Sequence, residues 1–206
     1  MHEGSLFMKV VCLDLEGVLV PEFWEEFAKI SGIPELMKTT RDEPDYDVLM
    51  ESRISSLKKH RLGMNEIHKI VAKMRPFEGA KEFLDWLKTR AQVAILTGSY
   101  YDYINPLIEK IGYPFTYANS LVIDKNGMVA GYKLREPDGK VEVVKRFKES
   151  GFETIAVGDS FNDIKMLKEA GVGILFKACD ALKKQEKEMR RAETFDELKT
   201  ILKKFV

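Results

Sequence analysis

The sequence contains little cysteine and little histidine. Only two of its 206 residues are cysteines, Cys12 and Cys179, and only three are histidines, none of them close in sequence to another candidate metal ligand. Two cysteines do not make a disulfide framework, so we expect a reducing, cytoplasmic location. Cys12 lies inside an apolar run, which favours a buried core residue. The scarcity of histidine disfavours a zinc site or a histidine-activated nucleophile.

The chain also lacks an excess of charge and a long apolar run. Lysine plus arginine and aspartate plus glutamate both number 33, which gives no support for binding to nucleic acid or to a membrane surface. No apolar run approaches the ~18 residues of a membrane-spanning helix. Residues 1–7 lack the features of a signal peptide, and we expect a flexible N-terminal extension there. Whether the protein is a monomer or a homodimer stays open.

Short apolar runs rich in β-branched residues alternate with helix-like segments. The predicted strands are 9–13, 92–96, 154–157 and 172–176, and the predicted helices are 80–89, 101–111, 140–149, 162–170 and 195–204. The strands are nearly continuous in apolar character, which is typical of strands covered on both faces. Alternation of strand and helix predicts an α/β fold with a doubly wound parallel sheet, formed by residues 8–22 and 75–206.

Residues 23–74 interrupt this alternation. Helical periodicity is found in "EFWEEFAKISG" (22–32), "DYDVLMESRISSLKKH" (45–60) and "NEIHKIVAKM" (65–74), with a turn-rich joint in "TTRDEPDY" (39–46). This pattern predicts a helical cap inserted after the first strand. Further along, β-like runs flank Asn126 and Gly127, which predicts a small β-hairpin flap over 121–134. The Lys/Arg/Glu-rich run 183–191 is interpreted as a solvated helix face.

Polar residues follow three of the predicted strands. In "VVCLDLEGVLVPE" (10–22), Asp14 and Glu16 end the first strand; "TGS" (97–99) ends the second, and "GDSFND" (158–163) follows the third. In open parallel sheets, ligands bind at the carboxyl ends of the strands. If these strands are neighbours, one edge gathers several acids, a hydroxyl and a lysine, namely Asp14, Glu16, Thr97, Lys140, Asp159 and Asp163.

This residue set indicates phosphate chemistry. Clustered carboxylates repel one another and need a cation, and oxygen ligands without histidine or cysteine suit Mg²⁺, which shares phosphate oxygens. Lys140 and Thr97 are suited to hold the other phosphate oxygens. Asp14 can attack phosphorus to form an aspartyl-phosphate. Glu16, two residues on, can protonate the leaving alcohol and then activate the hydrolytic water.

In this order, "DLEGVLV", "ILTGS", Lys140 and "VGDSFND" resemble the four motifs of the haloacid dehalogenase-like (HAD) phosphatase superfamily. The segments "CLDLEGVLVPE", "TTRDEPDYDVLM" and "GILF" and the overall length resemble its subgroup of phosphoserine phosphatases that also act as phosphoserine:homoserine phosphotransferases. The resemblance implies a Mg²⁺-dependent phosphomonoester hydrolase that acts on L-phosphoserine through an aspartyl-phosphate, with homoserine as an alternative acceptor.

The resemblance also implies residue roles. Asp14 is the implied nucleophile and Glu16 the implied acid/base, and the implied metal ligands are Asp14, Glu16, Asp159 and Asp163. The implied phosphate-binding residues are Thr97, Gly98, Ser99, Lys140 and Asn162. In the cap, Glu22 is suited to the substrate ammonium and Arg53 to its carboxylate, because arginine offers a bidentate fork.

The chain departs from the superfamily pattern at Glu16, where most phosphatases of the superfamily carry aspartate. One extra methylene moves the carboxyl by roughly an ångström, and misplacement on that scale costs about 100-fold in rate. We therefore hypothesise that weakened water activation lets homoserine compete for the aspartyl-phosphate.

Other interpretations of these residues stay open. Lys145, on the same predicted helix, is an alternative to Lys140. Glu22 and Arg53 are also compatible with a first-turn acid and a solvated helix residue. A HAD phosphatase for another small phosphorylated metabolite and a phospho-receiver signalling module are alternative functions, although a receiver carries its acceptor aspartate on a middle strand. The absence of G-x-x-x-x-G-K-[ST] disfavours an ATP-dependent kinase.

Overall fold

The structure, a computed structural model, describes residues 8–39, 42–43 and 45–206; the predicted extension 1–7 lies outside this part of the chain. The strands are β1 (Lys9–Leu13), β2 (Gln92–Tyr100), β3 (Phe115–Ile123), β4 (Val129–Lys133), β5 (Glu153–Gly158), β6 (Val172–Phe176) and β7 (Arg190–Ala192). The helices are α1 (Phe23–Ser31), α2 (Tyr46–Lys59), α3 (Met64–Val71), α4 (Ala80–Lys88), α5 (Tyr101–Lys110), α6 (Gly139–Glu149), α7 (Ile164–Glu169), α8 (Asp180–Gln185) and α9 (Phe195–Leu202). Within the described residues, none of these helices has the length and hydropathy to cross a membrane.

All seven strands form one sheet, in the order β4-β3-β2-β1-β5-β6-β7. Neighbouring strands are parallel except β3 and β4, which are antiparallel. β1 lies in the middle, with Val11 opposite Val93 of β2 and Ile155 of β5. The α/β fold with a mostly parallel sheet is therefore confirmed. The carboxyl end of β1 has the carboxyl ends of β2 and β5 on either side, which is where ligands bind in such sheets.

The central strand shows why the sheet is covered on both faces. The residues from Val10 to Leu13 are at most 1% exposed. Because side chains alternate along a strand, Val11 and Leu13 pack in one hydrophobic cluster with residues of α4, α5 and α9. Val10 and Cys12 pack in a second cluster with residues of α6, α7 and α8. The sheet is thus doubly wound, as the continuous apolar runs predict.

Helices form in residues 23–74 where the periodicity predicts them. α1 ends just before Gly32, whose backbone N–H donates to the Ala28 carbonyl at 2.9 Å. α2 begins after Asp45, whose Oδ1 accepts from the backbone N–H groups of Asp47 and Val48 and so caps the helix. In the predicted joint 39–46, positions 40, 41 and 44 lie outside the described residues. The division into a core and a cap stays a prediction.

The predicted hairpin is present, but it is continuous with the main sheet. Leu121 of β3 lies opposite Tyr132 of β4 in an antiparallel pair, and the turn between the two strands contains Asn126 and Gly127. The first half of β3 pairs in parallel with β2, with Thr116 opposite Ile95. The hairpin is therefore the far end of a strand that also belongs to the central sheet.

The prediction of a helix face over 183–191 is wrong beyond Gln185. α8 ends at Gln185, and β7 pairs in parallel with β6 as the last strand of the sheet. The guanidinium of Arg191 donates to the carbonyl oxygens of Lys183 and Lys187 at 2.8 and 3.0 Å, which closes the intervening turn. A short, charged strand suits a sheet edge, because charge there opposes pairing with another chain.

Candidate active site

The carboxyl ends of β1, β2 and β5 carry the candidate residues to one edge of the sheet. Asp14 follows β1 directly, and its backbone N–H donates to the Val157 carbonyl of β5 at 2.9 Å. Thr97 lies near the end of β2, and Asp159 follows β5. Lys140 enters from the first turn of α6. The sheet topology alone therefore brings together groups from four separate segments of the chain.

Three carboxylates and one ammonium form the centre of the site. One carboxylate oxygen each of Asp14, Asp159 and Asp163 lies within 4.8 Å of the others. Lys140 Nζ lies 2.8 Å from Asp14 Oδ1 and 2.8 Å from Asp163 Oδ1. Asp163 Oδ2 accepts from the backbone N–H groups of Asp159 and Ser160 and from the Ser160 hydroxyl, each at 3.1 Å. Asp163 is thus held by the turn that carries it.

The ammonium of Lys140 balances only part of the negative charge of this cluster. Burial, followed by repulsion from Asp163, raises the pKa of Asp14 well above its ordinary value. Burial and the same neighbour raise the pKa of Asp159 to about 7. Burial also disfavours ionised Asp163, but Lys140 and Ser160 outweigh it and lower the pKa of Asp163. A single ammonium therefore stabilises one carboxylate fully and leaves the other two in need of positive charge.

The donor set of the cluster fits Mg²⁺. All three side chains offer carboxylate oxygens, which Mg²⁺ prefers, and the group contains neither histidine nor cysteine. The raised pKa values of Asp14 and Asp159 have the direction expected of carboxylates built to share a cation. Asp14, Asp159 and Asp163 are accordingly the residues that could hold the metal ion.

Gly17 leaves the space that Asp159 occupies. The glycine has a φ of +74°, and a Cβ built on it would lie 2.2 Å from Asp159 Cγ. Any side chain at position 17 would therefore displace a candidate metal ligand and would also strain the backbone.

We expect Gly17→Ala to weaken both folding and metal binding. Alanine in this left-handed conformation costs roughly 1–2 kcal/mol, and its Cβ displaces the Asp159 carboxylate. Gly127→Ala is the matched control, because Gly127 has a φ of +77° and nothing within 4 Å of its Cβ position. In thermal melts both variants should lose stability, but only Gly17→Ala should lose the stabilisation by MgCl₂. An equal response of the two variants to MgCl₂ would contradict this assignment.

Glu16 is held by a hydroxyl group at the end of β2. The Ser99 hydroxyl donates a short hydrogen bond to Glu16 Oε1, and the Tyr103 hydroxyl donates to Ser99 Oγ at 3.3 Å. Burial, with a further contribution from Glu22, raises the pKa of Glu16 to about 8. Glu16 is therefore a carboxyl group that can carry a proton near neutral pH.

The end of β2, where its pairing with β3 shifts register, is fixed by further hydrogen bonds. The Ser99 backbone N–H donates to Thr97 Oγ1 at 3.0 Å, and Asn119 Nδ2 donates to the Gly98 carbonyl at 2.8 Å. Gly98 is exposed, and nothing lies within 4 Å of its Cβ position. This part of the backbone is open, as a site for a bulky anion requires.

Arg53 is a buried cation from α2. Its side chain packs over the Trp24 ring with Cζ 4.6 Å from the ring centre, and its Nη2 donates to the Lys38 carbonyl at 2.9 Å. Its Nε has no hydrogen-bond partner among the described residues. Burial lowers the pKa of Arg53, while the nearby Glu22 and Glu16 act in the opposite direction. Arg53 and Glu22 thus lie close enough to the Glu16 side of the site to interact electrostatically with it.

A family model described as haloacid dehalogenase-like hydrolase matches residues 8–171, which span the acid cluster, Glu16, Arg53 and Lys140. The chain belongs to the haloacid dehalogenase-like hydrolase family. This confirms the predicted family, and the chain is an enzyme of the hydrolase class.

Relatives of this haloacid dehalogenase-like hydrolase carry a more specific name. It is 44% identical over 196 residues to "Phosphoserine phosphatase" of Pseudomonas syringae pv. tomato, covering 95% of this chain and 83% of the relative. It is 45% identical over 192 residues to "Phosphoserine phosphatase ThrH" of Pseudomonas aeruginosa, covering 93% and 94%. A solved structure described as "Phospho-Aspartyl Intermediate Analogue of Phosphoserine phosphatase" matches with a TM-score of 0.78 at 28% identity, covering 97% of this chain and all of that one.

The structure distinguishes Lys140 from its alternative, Lys145, and locates Asn162. Lys140 lies in the acid cluster, whereas Lys145 is exposed and pairs with Glu142 at 2.8 Å. Asn162 lies exposed in the turn Phe161–Asp163, and its contact with phosphate stays a prediction.

Sequence reasoning missed Tyr103 and Asn119. Tyr103 lies four residues after Ser99, but Ser99 is in β2 and Tyr103 is in α5, so helical spacing gave no signal for their contact. Asn119 had no signal, because the strand that carries it was not predicted to join the sheet.

Proposed function

We propose that the chain is a Mg²⁺-dependent phosphomonoester hydrolase that acts on L-phosphoserine through an aspartyl-phosphate on Asp14. The observation that carries the proposal is the Asp14 carboxylate at the end of the central strand, beside Lys140 and within the cluster of Asp159 and Asp163. The names of the two Pseudomonas relatives support the substrate, and the similarity to a solved phospho-aspartyl intermediate analogue supports the intermediate.

In the proposed first step, Asp14 attacks phosphorus and the bond to the serine oxygen breaks. Asp14 Oδ1 accepts from the Leu15 backbone N–H at 2.7 Å and lies 2.8 Å from Lys140 Nζ, so the plane of the carboxylate is fixed before attack. Glu16 gives its proton to the departing oxygen. Lys140 and Thr97 hold phosphate oxygens.

In the second step, Glu16 takes a proton from water, and the resulting hydroxide attacks the phosphorus of the aspartyl-phosphate. The bond to Asp14 breaks, which releases phosphate and regenerates both carboxyl groups. Asp14, Asp159 and Asp163 would hold Mg²⁺, with a backbone carbonyl from Glu16. When bound, the ion supplies positive charge that offsets the carboxylates and the phosphate oxygens.

The deciding experiment is phosphate release from L-phosphoserine with MgCl₂ and after removal of metal with EDTA. We expect release with MgCl₂, loss with EDTA and recovery when MgCl₂ is added in excess. Release from 4-nitrophenyl phosphate but not from phosphoserine would support phosphomonoester hydrolysis and contradict L-phosphoserine as the substrate. Release from neither would overturn the function and favour a hydrolase of this family that acts on another small phosphorylated metabolite.

Recognition of the amino acid part is proposed for Arg53, on α2 of a cap formed by residues 23–74, and for Glu22, which directly precedes α1. Arg53 is only 6% exposed, and its Nε has no hydrogen-bond partner within the described residues. A buried guanidinium with unused donor capacity suits a carboxylate. Glu22 adds a negative charge for the ammonium group.

We expect Arg53→Met to raise the KM for L-phosphoserine by about 100-fold, because the buried carboxylate of the substrate loses the guanidinium that pairs with it. O-phosphoethanolamine has the ammonium but no carboxylate, and its kinetics should change little. Arg90→Met is the matched control variant, because Arg90 also packs over a tryptophan, Trp86, but on the exposed side of α4. Equal losses on both substrates would argue against a carboxylate contact.

Homoserine is proposed as a second acceptor. The supporting observation is Glu16 itself, whose side chain is one methylene longer than aspartate and is held by Ser99. If this weakens water activation, an alcohol competes for the aspartyl-phosphate. Adding L-homoserine should then yield O-phosphohomoserine, and Glu16→Asp should lower the ratio of transfer to hydrolysis. An unchanged ratio would contradict the proposed link between Glu16 and transfer to homoserine.

A further inference from the structure

Two hydroxyl groups form a chain that ends at Glu16. The Tyr103 hydroxyl donates to Ser99 Oγ at 3.3 Å, and Ser99 Oγ donates to Glu16 Oε1. Ser99 is 6% exposed and Tyr103 is 2% exposed. The Tyr103 ring stacks on Phe23 with ring centres 3.8 Å apart. It also packs edge-to-face with Trp24, with ring centres 5.8 Å apart. The chain of hydroxyls therefore starts from a side chain that packing holds in place.

The Ser99 hydroxyl is engaged on both sides. A serine hydroxyl has one hydrogen, and Ser99 gives it to Oε1 of Glu16 while it accepts from Tyr103. Ser99 therefore holds the Glu16 carboxyl group by Oε1 and makes no hydrogen bond to Oε2, so Oε1 serves as the anchor.

The Ser99 side chain has no part in holding its own backbone. The Ser99 N–H is fixed by Thr97 Oγ1 at 3.0 Å, and the preceding carbonyl of Gly98 is fixed by Asn119 at 2.8 Å. Loss of the Ser99 hydroxyl would leave both bonds in place. Its effect should then be confined to Glu16 and to the Tyr103 hydroxyl, which loses its acceptor.

We propose that Ser99 is a positioning residue that anchors Oε1 of Glu16, so that Oε2 delivers the proton to the departing oxygen of the phosphate ester. Tyr103 orients the Ser99 hydroxyl for this task. The inference rests on the proposed function, since it assigns Ser99 a part in the acid step of that reaction.

The leaving group distinguishes positioning of an acid from a structural role. The serine oxygen is a poor leaving group and needs a proton as it departs, whereas 4-nitrophenolate departs readily without one. Because kcat/KM reports the steps up to departure of the first product, it isolates this proton transfer from the later attack of water. A misplaced Glu16 should therefore lower kcat/KM for phosphoserine selectively.

The test compares the full-length parent chain with Ser99→Ala, Ser99→Thr and Tyr103→Phe on L-phosphoserine and 4-nitrophenyl phosphate. We expect Ser99→Ala to lower kcat/KM for phosphoserine by about 100-fold and for the aryl ester by less than about threefold. Ser99→Thr, which keeps the hydroxyl, should recover most of the loss, and Tyr103→Phe should show the same selectivity to a smaller degree.

The outcomes separate this inference from the proposed function. If Ser99→Ala lowers kcat/KM equally for both esters, or if Ser99→Thr recovers nothing, the positioning role is overturned. The proposed function stands in either case as long as the parent chain hydrolyses phosphoserine. A parent chain that releases phosphate from neither ester would overturn both. The selective loss with recovery by threonine would establish the role of Ser99.

Discussion

Phosphate release by the Asp14→Asn variant is expected to fall by about 10⁴-fold or more, as for other enzymes that lose their nucleophile. Asparagine keeps the size of the side chain and can still accept the Leu15 N–H, which lies 2.7 Å from Asp14 Oδ1. Its amide cannot form the aspartyl-phosphate. The measurement is phosphate release from L-phosphoserine with MgCl₂, together with acid quenching and mass spectrometry of the Asp14 peptide. The parent peptide should gain one phosphoryl group, and the variant peptide should not.

Loss of activity in Asp14→Asn should come without loss of folding. The substitution removes one carboxylate from a repelling cluster, and Lys140 keeps Asp163 at 2.8 Å. We expect an unchanged or higher midpoint of thermal unfolding. Asp196→Asn is the control, because the Asp196 side chain is 94% exposed on α9, and it should retain full activity. Substantial turnover by Asp14→Asn would transfer the nucleophile role to another residue.

The second large effect is expected for Lys140→Met, in both activity and stability. Methionine keeps most of the aliphatic length but leaves buried Asp14 and Asp163 without the ammonium that lies 2.8 Å from each. Removing one partner of a buried ion pair costs about 3–5 kcal/mol. Loss of a charge that stabilises the transition state costs about 10²–10³ in rate. Phosphate release and urea unfolding without metal measure the two effects.

A neighbouring lysine supplies the control. Lys145→Met lies on the same helix, but its ammonium is exposed and pairs only at the surface with Glu142, so both quantities should stay close to those of the parent. MgCl₂ should restore more stability to Lys140→Met than to the parent, because the ion replaces part of the lost positive charge. Similar effects of the two lysine substitutions would contradict a role of Lys140 in the site.

The central strands and the acid cluster were predictable from the sequence for a physical reason. β1 is an unbroken apolar run that stops at Asp14, and a buried strand can tolerate a carboxylate only where it ends at a functional edge. β5 likewise stops just before Asp159, and β2 carries Thr97 and Ser99 shortly before it ends at Tyr100. Because parallel strands bring their carboxyl ends to one edge, the order of elements was sufficient to group Asp14, Asp159 and Lys140.

The first half of β3 and the whole of β7 escaped prediction because neither carries a continuous apolar run. β3 begins with Phe115, which is 59% exposed, and contains polar residues. It joins the sheet by pairing with β2, a long-range contact that local pattern does not reveal. β7 is three residues long, and two of them are arginines. Its pairing with β6 depends on backbone hydrogen bonds rather than on burial of its side chains.

The side-chain network around Glu16 was likewise beyond sequence reasoning. The predicted contact of the Ser99 amide with phosphate stays a prediction, whereas the hydrogen bonds of that amide to Thr97 and of the Ser99 hydroxyl to Glu16 were not predicted. Which of these bonds a serine makes depends on the turn after β1 and on the rotamer of each side chain. Neither is encoded in residue spacing.

The position of β1 also determines when the site can exist. β1 precedes its partners β2 and β5 along the chain by many residues, since these begin at Gln92 and Glu153. Contacts so distant along the chain are slow to form, and an apolar strand that waits for them is exposed to aggregation. During synthesis Asp14 therefore remains without the groups that make it reactive until most of the chain has been translated. The site around Asp14 is therefore incomplete until β5 has paired with β1.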